Sequence, residues 1–258
     1  MSTEILVKDL RERSLPVAAL SIGIGILTIG ALGVYSGMSD TLDDLTKDFP
    51  EELMSFMGGD APGGYVVGEV FNLIAPLALV ALAVMTGAAA TAGEEERKTL
   101  GMVMGTPVSR TSVLVGKAGA LLVALGAATG GFLLAASAAT AWFDVGLSTG
   151  NVVATAVHLG ALALAFGAVA MAAGAVTGRA SVAAGVAGGI AVASYLANSM
   201  LPLADLDAWA ELSPWFYYAG SEPLVNGFDP THLLVLCGLA AAAFAVAVVA
   251  FNRRDLKG

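Results

Sequence analysis

The sequence contains few charged residues. Only 13% of its 258 residues are Asp, Glu, Lys or Arg, whereas 57% are hydrophobic. A soluble globular domain carries about 25% charged residues, so an ordinary soluble enzyme is excluded. A disordered chain is excluded as well, because such chains are poor in hydrophobic residues. The composition indicates a protein whose surroundings are mainly lipid.

Cysteine and positive charge are also scarce. Cys237 is the only cysteine, which excludes an intrachain disulfide and a cysteine-rich metal site, and its apolar neighbours predict a small core residue. The chain has 12 basic and 21 acidic residues, for a net charge of -9. It therefore lacks the basic surface of a nucleic-acid-binding protein, and we expect no nucleic-acid partner.

The motifs of common enzymes are missing. The sequence contains no GxxxxGK[ST] loop for nucleotide phosphates and no HExxH, GxSxG or CxxC motif. His158 and His232 lie far apart in the sequence and near the ends of hydrophobic stretches, which favours packed or interfacial histidines over metal ligands. We expect no catalytic residue, metal or cofactor on this chain, and no ATP hydrolysis by the chain alone.

Long hydrophobic stretches, by contrast, are abundant. A helix needs about 20 mostly apolar residues to cross the hydrocarbon core of a membrane. No acidic residue interrupts the six stretches that meet this length, and Lys117, near one end of the third, is expected to reach the headgroups. The sequence predicts an all-α polytopic membrane protein, a single domain over 1–258, with six transmembrane helices at about 17–35, 70–92, 113–142, 152–177, 182–201 and 233–251.

The positions of the basic residues predict the orientation of the chain. Six spans place both termini on one side, and nearly all basic residues fall on that side: Lys8, Arg11, Arg13, Arg97, Lys98, Arg110, Lys117, Arg179, Arg253, Arg254 and Lys257. The other side has only Lys47 and most of the acidic residues. By the positive-inside rule, both termini of this multi-pass protein are expected in the cytoplasm.

Three segments outside the spans carry helical or aromatic patterns. Residues 1–15 predict a short amphipathic helix in the membrane interface, ended by Pro16. In the outer loop 36–68, hydrophobic residues at helical spacing predict two short surface helices. The outer loop 202–232 is rich in aromatic residues, which favours an interfacial aromatic belt over a gate or lid: Trp209, Trp215, Phe216, Tyr217 and Tyr218.

The inside loop 93–112 predicts a short amphipathic helix. Three consecutive carboxylates, Glu94 to Glu96, would suit the positive end of the helix dipole in its first turn. The apolar face of this helix would carry Leu100, Val103 and Met104. The spacing is equally compatible with a helix that joins two spans in the interface and with one that docks into a partner.

Few polar groups lie inside the predicted spans. Asn72 in the second span and Asn198 in the fifth are candidate pathway residues if they face the interior of the bundle. Glu69 is the acidic residue closest to a span, where a glutamate is usually hydrated and a proton-coupling role is the alternative. Pro76 is expected to bend the second span.

Several segments, taken in order, resemble one family of transporters. The run from Glu94-Glu95-Glu96 to Thr106-Pro107-Val108-Ser109-Arg110 is similar to the loop between the second and third spans of ABC-2 type transporter permeases. Gly178-Arg179 fits the turn between the fourth and fifth spans of these proteins. Residues 212–229 resemble the segment before their last span, and 251–256 resemble their C-terminal ending. The resemblance therefore covers the whole chain.

The resemblance implies an ABC-2 (type V exporter-like) permease fold and a function as the membrane-spanning half of an exporter in the plasma membrane of a prokaryote. A second permease half, identical or different, would complete the pathway, and a separate ATPase subunit would bind ATP and Mg²⁺. That subunit would dock on a coupling helix over 94–106, through Glu94, Glu95, Glu96, Arg97, Lys98, Leu100, Val103, Met104, Thr106, Pro107 and Arg110. The family also implies that the second and fifth spans line the cavity, which nominates Phe71, Asn72, Met85, Thr86 and Asn198.

Two other functions remain alternatives. An ion-coupled secondary transporter would need an essential acidic residue in the membrane, for which Glu69 is the candidate. A non-transporting assembly partner would depend on an interface rather than on a cavity. The scarcity of polar residues in the spans favours a hydrophobic or amphipathic cargo, such as a drug or a lipid.

Overall fold

Helices dominate the part of the protein that the structure describes. A computed structural model describes residues 2–46, 50, 68–96, 109–143 and 145–254. The prediction of an all-α protein with six membrane-spanning helices is confirmed. Within these residues, six helices are long and apolar enough to cross a membrane, and we number them as spans one to six: Leu10–Gly37, Val70–Gly93, Arg110–Trp142, Thr149–Thr177, Ala180–Met200 and Pro230–Arg253.

The first span belongs to a helix that is much longer than predicted. This helix runs from Ser2–Thr46 with Pro16 inside it, so the prediction of a separate helix over 1–15 that ends at Pro16 is wrong. A proline inside a helix removes one hydrogen bond and favours a kink. The residues on both sides of Pro16 favour helix, and the helix continues through this position. The helix also extends into the loop predicted at 36–68, of which residues 47–49 and 51–67 lie outside the described part.

The second span changes helix type at both of its ends. A π-helical turn at Val70–Ile74 leads into the α-helix Ala75–Ala88, and a second π-helical turn follows at Ala89–Gly93. Pro76 stands in the first turn of the α-helix. Proline has no N–H to donate into the preceding turn, and the change of helix type occurs beside it.

The fourth span forms the centre of the bundle. It contacts the second, third, fifth and sixth spans. In its apolar stretch 61% of the residues are buried, against 17% in that of the sixth span. The first span packs mainly on the third. Large side chains on the first, fifth and sixth spans are exposed, so in a membrane these faces contact lipid or another protein: Ile22, Ile26, Val186, Ile190, Val246 and Val249.

The second and fourth spans approach each other closely at small residues. A Cβ on Gly87 would collide with the carbonyl oxygen of Gly167, and a Cβ on Gly174 would collide with the hydroxyl of Thr91. That hydroxyl donates a hydrogen bond across the contact to the carbonyl of Met171, at 3.1 Å. Glycine therefore allows the two backbones to touch, as in other membrane bundles.

The fourth and fifth spans are joined by a very short connection. The fourth ends at Gly178, which has a left-handed conformation with φ of 64°. Such a conformation favours glycine and is the usual end of a helix. The fifth span begins directly afterwards, and its N-cap residue Arg179 provides no side-chain cap for the first turn. Another part of the chain supplies that cap, as described below.

Two side chains lie elsewhere than predicted. Lys117 is only 2% exposed, so its side chain is buried and does not extend outwards to the headgroups as expected. Cys237 is exposed rather than part of the core. The sixth span buries a narrow stripe that includes Leu236 and Ala240, and Cys237 lies beside this stripe on the outward face.

Candidate coupling and pathway sites

The glutamates predicted to begin the coupling helix directly follow the second span. The turn Glu94–Glu96 comes after Ala89–Gly93 without a break in the helical backbone. The rest of the helix predicted over 94–106 lies outside the described residues, so the coupling helix stays a prediction. The remaining candidates between them and Arg110 lie outside the described residues: Arg97, Lys98, Leu100, Val103, Met104, Thr106 and Pro107.

Glu95 forms an ion pair with Arg254, which follows the sixth span. The two side chains are 5% and 22% exposed, and a guanidinium nitrogen of Arg254 donates to a carboxylate oxygen of Glu95. The guanidinium also lies against Gly178, where any Cβ would collide with it. The left-handed glycine between the fourth and fifth spans therefore makes room for this ion pair.

Glu96 caps the fifth span from a distance of 84 residues in sequence. Its carboxylate accepts a hydrogen bond from the backbone N–H of Ala180, the first residue of that span, at 2.8 Å. The N-terminus of a helix has unsatisfied N–H groups and a partial positive charge, so a carboxylate there is stabilising. Glu96 thus provides the cap that Arg179 does not.

Arg110, at the other end of the predicted coupling loop, caps the sixth span. Its guanidinium donates to the carbonyl of Arg254 at 2.7 Å and lies 3.3 Å from that of Phe251. A basic side chain at these last carbonyls satisfies groups that have no partner within the helix. Next to it, the side chains of Thr111 and Asn252 are joined by a hydrogen bond of 3.0 Å.

We call Glu95, Glu96, Arg110 and Arg254 the end cluster. It joins the end of the second span and the start of the third to the turn between the fourth and fifth spans and to the end of the sixth. The chain between its members, residues 97–109, contains most of the segment 94–106 that is predicted to dock on a partner. Both ends of that segment are therefore fixed to the same end of the bundle.

The five predicted pathway residues differ in their burial. Phe71 is fully buried and packs edge-on against Phe132 at 5.3 Å between ring centroids, and Thr86 is also buried, with its carbonyl accepting a hydrogen bond from Arg13. Asn72 and Met85 are exposed on the second span, and Asn198 is half-buried on the fifth. Of the five, these last three have side chains that are exposed or half-buried, and their role in a pathway stays a prediction.

Part of the aromatic loop is packed into the bundle. Trp215 and Tyr218 are each 1% exposed, so for them the predicted interfacial belt is wrong, whereas Trp209 is 61% exposed. Burial raises the pKa of the Tyr218 hydroxyl, which donates a hydrogen bond to the carbonyl of Phe71 on the second span. The aromatic residues thus hold this segment against the second span.

Two serines fix the same segment to the fifth span. The hydroxyls of Ser194 and Ser213 are 2.7 Å apart, and Ser213 donates to the carbonyl of Ser194 at 2.8 Å. The backbone N–H of Trp215 lies 3.1 Å from both hydroxyls. The predicted outer segment is therefore packed against the second and fifth spans and is not a separate element in the membrane interface.

The first turn of the sixth span is anchored by Asp229. Its carboxylate accepts hydrogen bonds from the backbone N–H groups of Thr231 and His232, and these bonds lower the pKa of Asp229. His158 is fully buried, with Nδ1 at 2.8 Å from the carbonyl of Ala154 and Nε2 near the backbone of Asp229. The prediction of a packed histidine is confirmed for His158.

A comparison with protein-family models decides the family. Residues 4–256 match the model described as "ABC-2 family transporter protein", which is nearly the whole chain. The protein belongs to the ABC-2 transporter family. The resemblance found at the loop motifs is confirmed, and so is the expected ABC-2 permease fold. No curated protein gave a significant match to the chain.

The family also bears on what this ABC-2 protein lacks. ABC-2 permeases typically have no ATPase domain of their own, and the family implies an ATPase partner. Among the described residues, no three His, Cys, Asp or Glu side chains are grouped as metal ligands. Among the described residues, the end cluster is a well-defined group of charged side chains joined by an ion pair and helix caps.

The sequence named Glu95, Glu96 and Arg110 as coupling residues of this ABC-2 protein, but it did not predict their contacts. Arg254 was noted for its charge and as part of a C-terminal motif, and its contact with Glu95 joins residues 159 apart. One signal was present: Gly178 and Arg179 fit a family turn, and a glycine that needs a left-handed conformation marks the end of a helix. Nothing in the sequence shows that a guanidinium fills the space above it.

Proposed function

We propose that this chain is the permease subunit of an ATP-driven exporter, with ATP and Mg²⁺ bound by a separate ATPase subunit. The observation that carries the proposal is the match to the ABC-2 family over residues 4–256. Six spans without a nucleotide-binding motif need an external source of energy, and ATP hydrolysis in a docked subunit is one. Closure of the ATPase subunits would displace the docking segment and rock the spans between two packings.

The docking surface in this proposal is the segment 94–106. Glu95 and Glu96 at one end, and Arg110 just beyond the other, are held on the end of the bundle by ion pairs and helix caps. A segment that is fixed at both ends transmits a push from a partner instead of absorbing it. The apolar candidates for the contact itself are Leu100, Val103 and Met104.

The pathway in this proposal lies between two permease halves, which are identical or different chains. The accessible residues of the second and fifth spans are mostly apolar, and Asn72 and Asn198 add two amides. Such a surface suits hydrophobic or amphipathic cargo, as in multidrug or lipid efflux. The outer segment that contains Trp215 and Tyr218 would lie over this pathway as a cover.

The localisation in this proposal is the plasma membrane of a prokaryote, with both termini in the cytoplasm. The six candidate spans found among the described residues put both termini on one side, and eleven of the 12 basic residues fall on that side. The docking segment would then face the compartment that supplies ATP.

The proposal is tested by purifying the tagged full chain from its native cell in mild detergent and identifying the proteins that remain bound. We expect an ATPase subunit and ATP hydrolysis by the complex. Replacing Leu100 and Met104 together by Ala should reduce the bound ATPase by about tenfold, the effect of 1.4 kcal/mol of lost contact energy. Leu134→Ala, at a side chain 73% exposed on the third span, is the control.

Two results would contradict the proposal. One is a wild-type preparation that repeatedly contains no ATPase subunit. The other is equal recovery of that subunit with the Leu100/Met104 variant and with the Leu134→Ala control, which would remove the docking segment from the proposal.

A further inference from the structure

The end cluster contains a largely buried ion pair. Glu95 is almost completely buried and pairs with Arg254, which is also largely shielded from water. Removing two such charges from water costs about as much as their attraction returns, so a buried pair adds little net stability. A pair of this kind is better suited to fixing one arrangement of the elements that it joins.

The members of the cluster connect the docking segment to particular spans. Glu96 holds the first residue of the fifth span, Arg254 extends from the end of the sixth over Gly178, and Arg110 holds the last carbonyls of the sixth. Each contact is made at the end of a helix. A displacement applied there moves the span as a rigid unit. The second and third spans have no need of these contacts to enter the membrane.

We propose that Glu95, Glu96, Arg110 and Arg254 are positioning residues that transmit displacement of the segment 97–109 to the fifth and sixth spans. This inference rests on the proposed function, because it assumes an ATPase subunit that moves the segment. Arg254 has the central position, since its side chain meets the second span and its carbonyl meets Arg110. Without Arg254, the segment would still dock, but its movement would reach the fifth and sixth spans only in part.

Cys237 offers a built-in reporter for this movement. It is the only cysteine of the chain, it is exposed, and it lies on the sixth span near the end opposite to Arg254. An environment-sensitive fluorophore attached to Cys237 of the purified complex should change its emission when ATP and vanadate are added. The change in emission measures motion of the sixth span, and the amount of bound ATPase measures docking.

The test compares Arg254→Gln with the matched control Arg253→Gln. Arg253 is the neighbouring, exposed arginine. We expect Arg254→Gln to retain the ATPase subunit and its hydrolysis but to lose about half or more of the emission change, because one of the two links to the sixth span is broken. The double variant Glu95→Arg with Arg254→Glu restores opposite charges and should recover most of the change.

The outcomes separate this inference from the proposed function. If the wild-type complex contains no ATPase subunit, the proposed function fails, and the inference fails with it. If the wild-type complex responds and Arg254→Gln responds equally, the inference alone is wrong. If Arg254→Gln melts at a lower temperature but keeps the full emission change, the cluster has only a structural role, which also overturns the inference.

Discussion

At the scale of the residue, one glycine sets the distance between two spans. A Cβ at Gly87 would collide with the carbonyl oxygen of Gly167 and lie 3.2 Å from the Cβ of Ala170. The obstacle is backbone, which no side-chain rotation relieves. The second span has to stay close to the fourth here, because the hydroxyl of Thr91 bonds to the carbonyl of Met171 across the same contact.

We predict that Gly87→Ala destabilises the protein by about 1–3 kcal/mol, the usual cost of overpacking a well-packed interior. The measurement is thermal unfolding of the purified full chain in detergent. Gly126→Ala is the control, because a Cβ at Gly126 meets nothing within 4 Å. That variant should be neutral or slightly stabilised, since Ala is the better helix former. Equal melting temperatures for both variants would show that the helices separate at no cost.

Individual side chains were the hardest feature to predict from the sequence. Lys117 was expected at the headgroups and Cys237 in the core, but Lys117 is buried and Cys237 is exposed. The spans are hydrophobic on every face, so the sequence gives no periodicity that separates the buried side from the lipid side. Trp215 was placed in the interface because aromatic residues are common there, but it is buried beside Ser194 and Ser213.

At the scale of the element, the existence of the spans was predictable and their ends were not. Each of the six hydrophobic stretches contains a helix, since only a helix satisfies its own backbone in lipid. The first helix continues past Pro16, and the second continues to Glu96, because charged and polar residues also form helices outside the membrane. Contacts made by other spans decide where these extensions stop, and a single sequence does not contain that information.

The cap of the sixth span gives a prediction for pH dependence. Hydrogen bonds from the backbone N–H groups of His232 and Thr231 lower the pKa of Asp229 in the folded protein. A lowered pKa means that the cap contributes its full stability above the pKa of the unfolded chain and loses it as the pH falls through the folded pKa. Asp229→Asn keeps an oxygen acceptor but removes the charge.

We therefore expect Asp229→Asn to melt at a lower temperature than the wild type near neutral pH, and the two to converge in acid, where the wild-type carboxylate is protonated as well. Melting curves of the full chain over a pH series provide the measurement. Asp207→Asn, at an exposed aspartate on the same predicted side, is the control. A difference between Asp229→Asn and the wild type that stays constant down to low pH would exclude the capping carboxylate as its cause.

At the scale of the whole molecule, connectivity and charge act together. Four separate parts of the chain meet at the end cluster. The segments at that end carry most of the basic residues. The family match over 4–256 could be foreseen from ordered loop motifs, whereas the meeting of distant helix ends could not.

The charge distribution predicts which end of the bundle faces the cytoplasm. Two exposed residues at opposite ends test it: Arg253 closes the sixth span at the predicted cytoplasmic end, and Asp207 lies in the segment before that span. Each is changed to Cys in a chain that carries Cys237→Ser, and intact cells are treated with a membrane-impermeant maleimide. We expect labelling of Asp207→Cys in intact cells and of Arg253→Cys only after permeabilisation, because basic segments stay in the cytoplasm. The reverse pattern would place the docking segment outside the cytoplasm, where no ATP is supplied. It would contradict the proposal of a cytoplasmic ATPase partner.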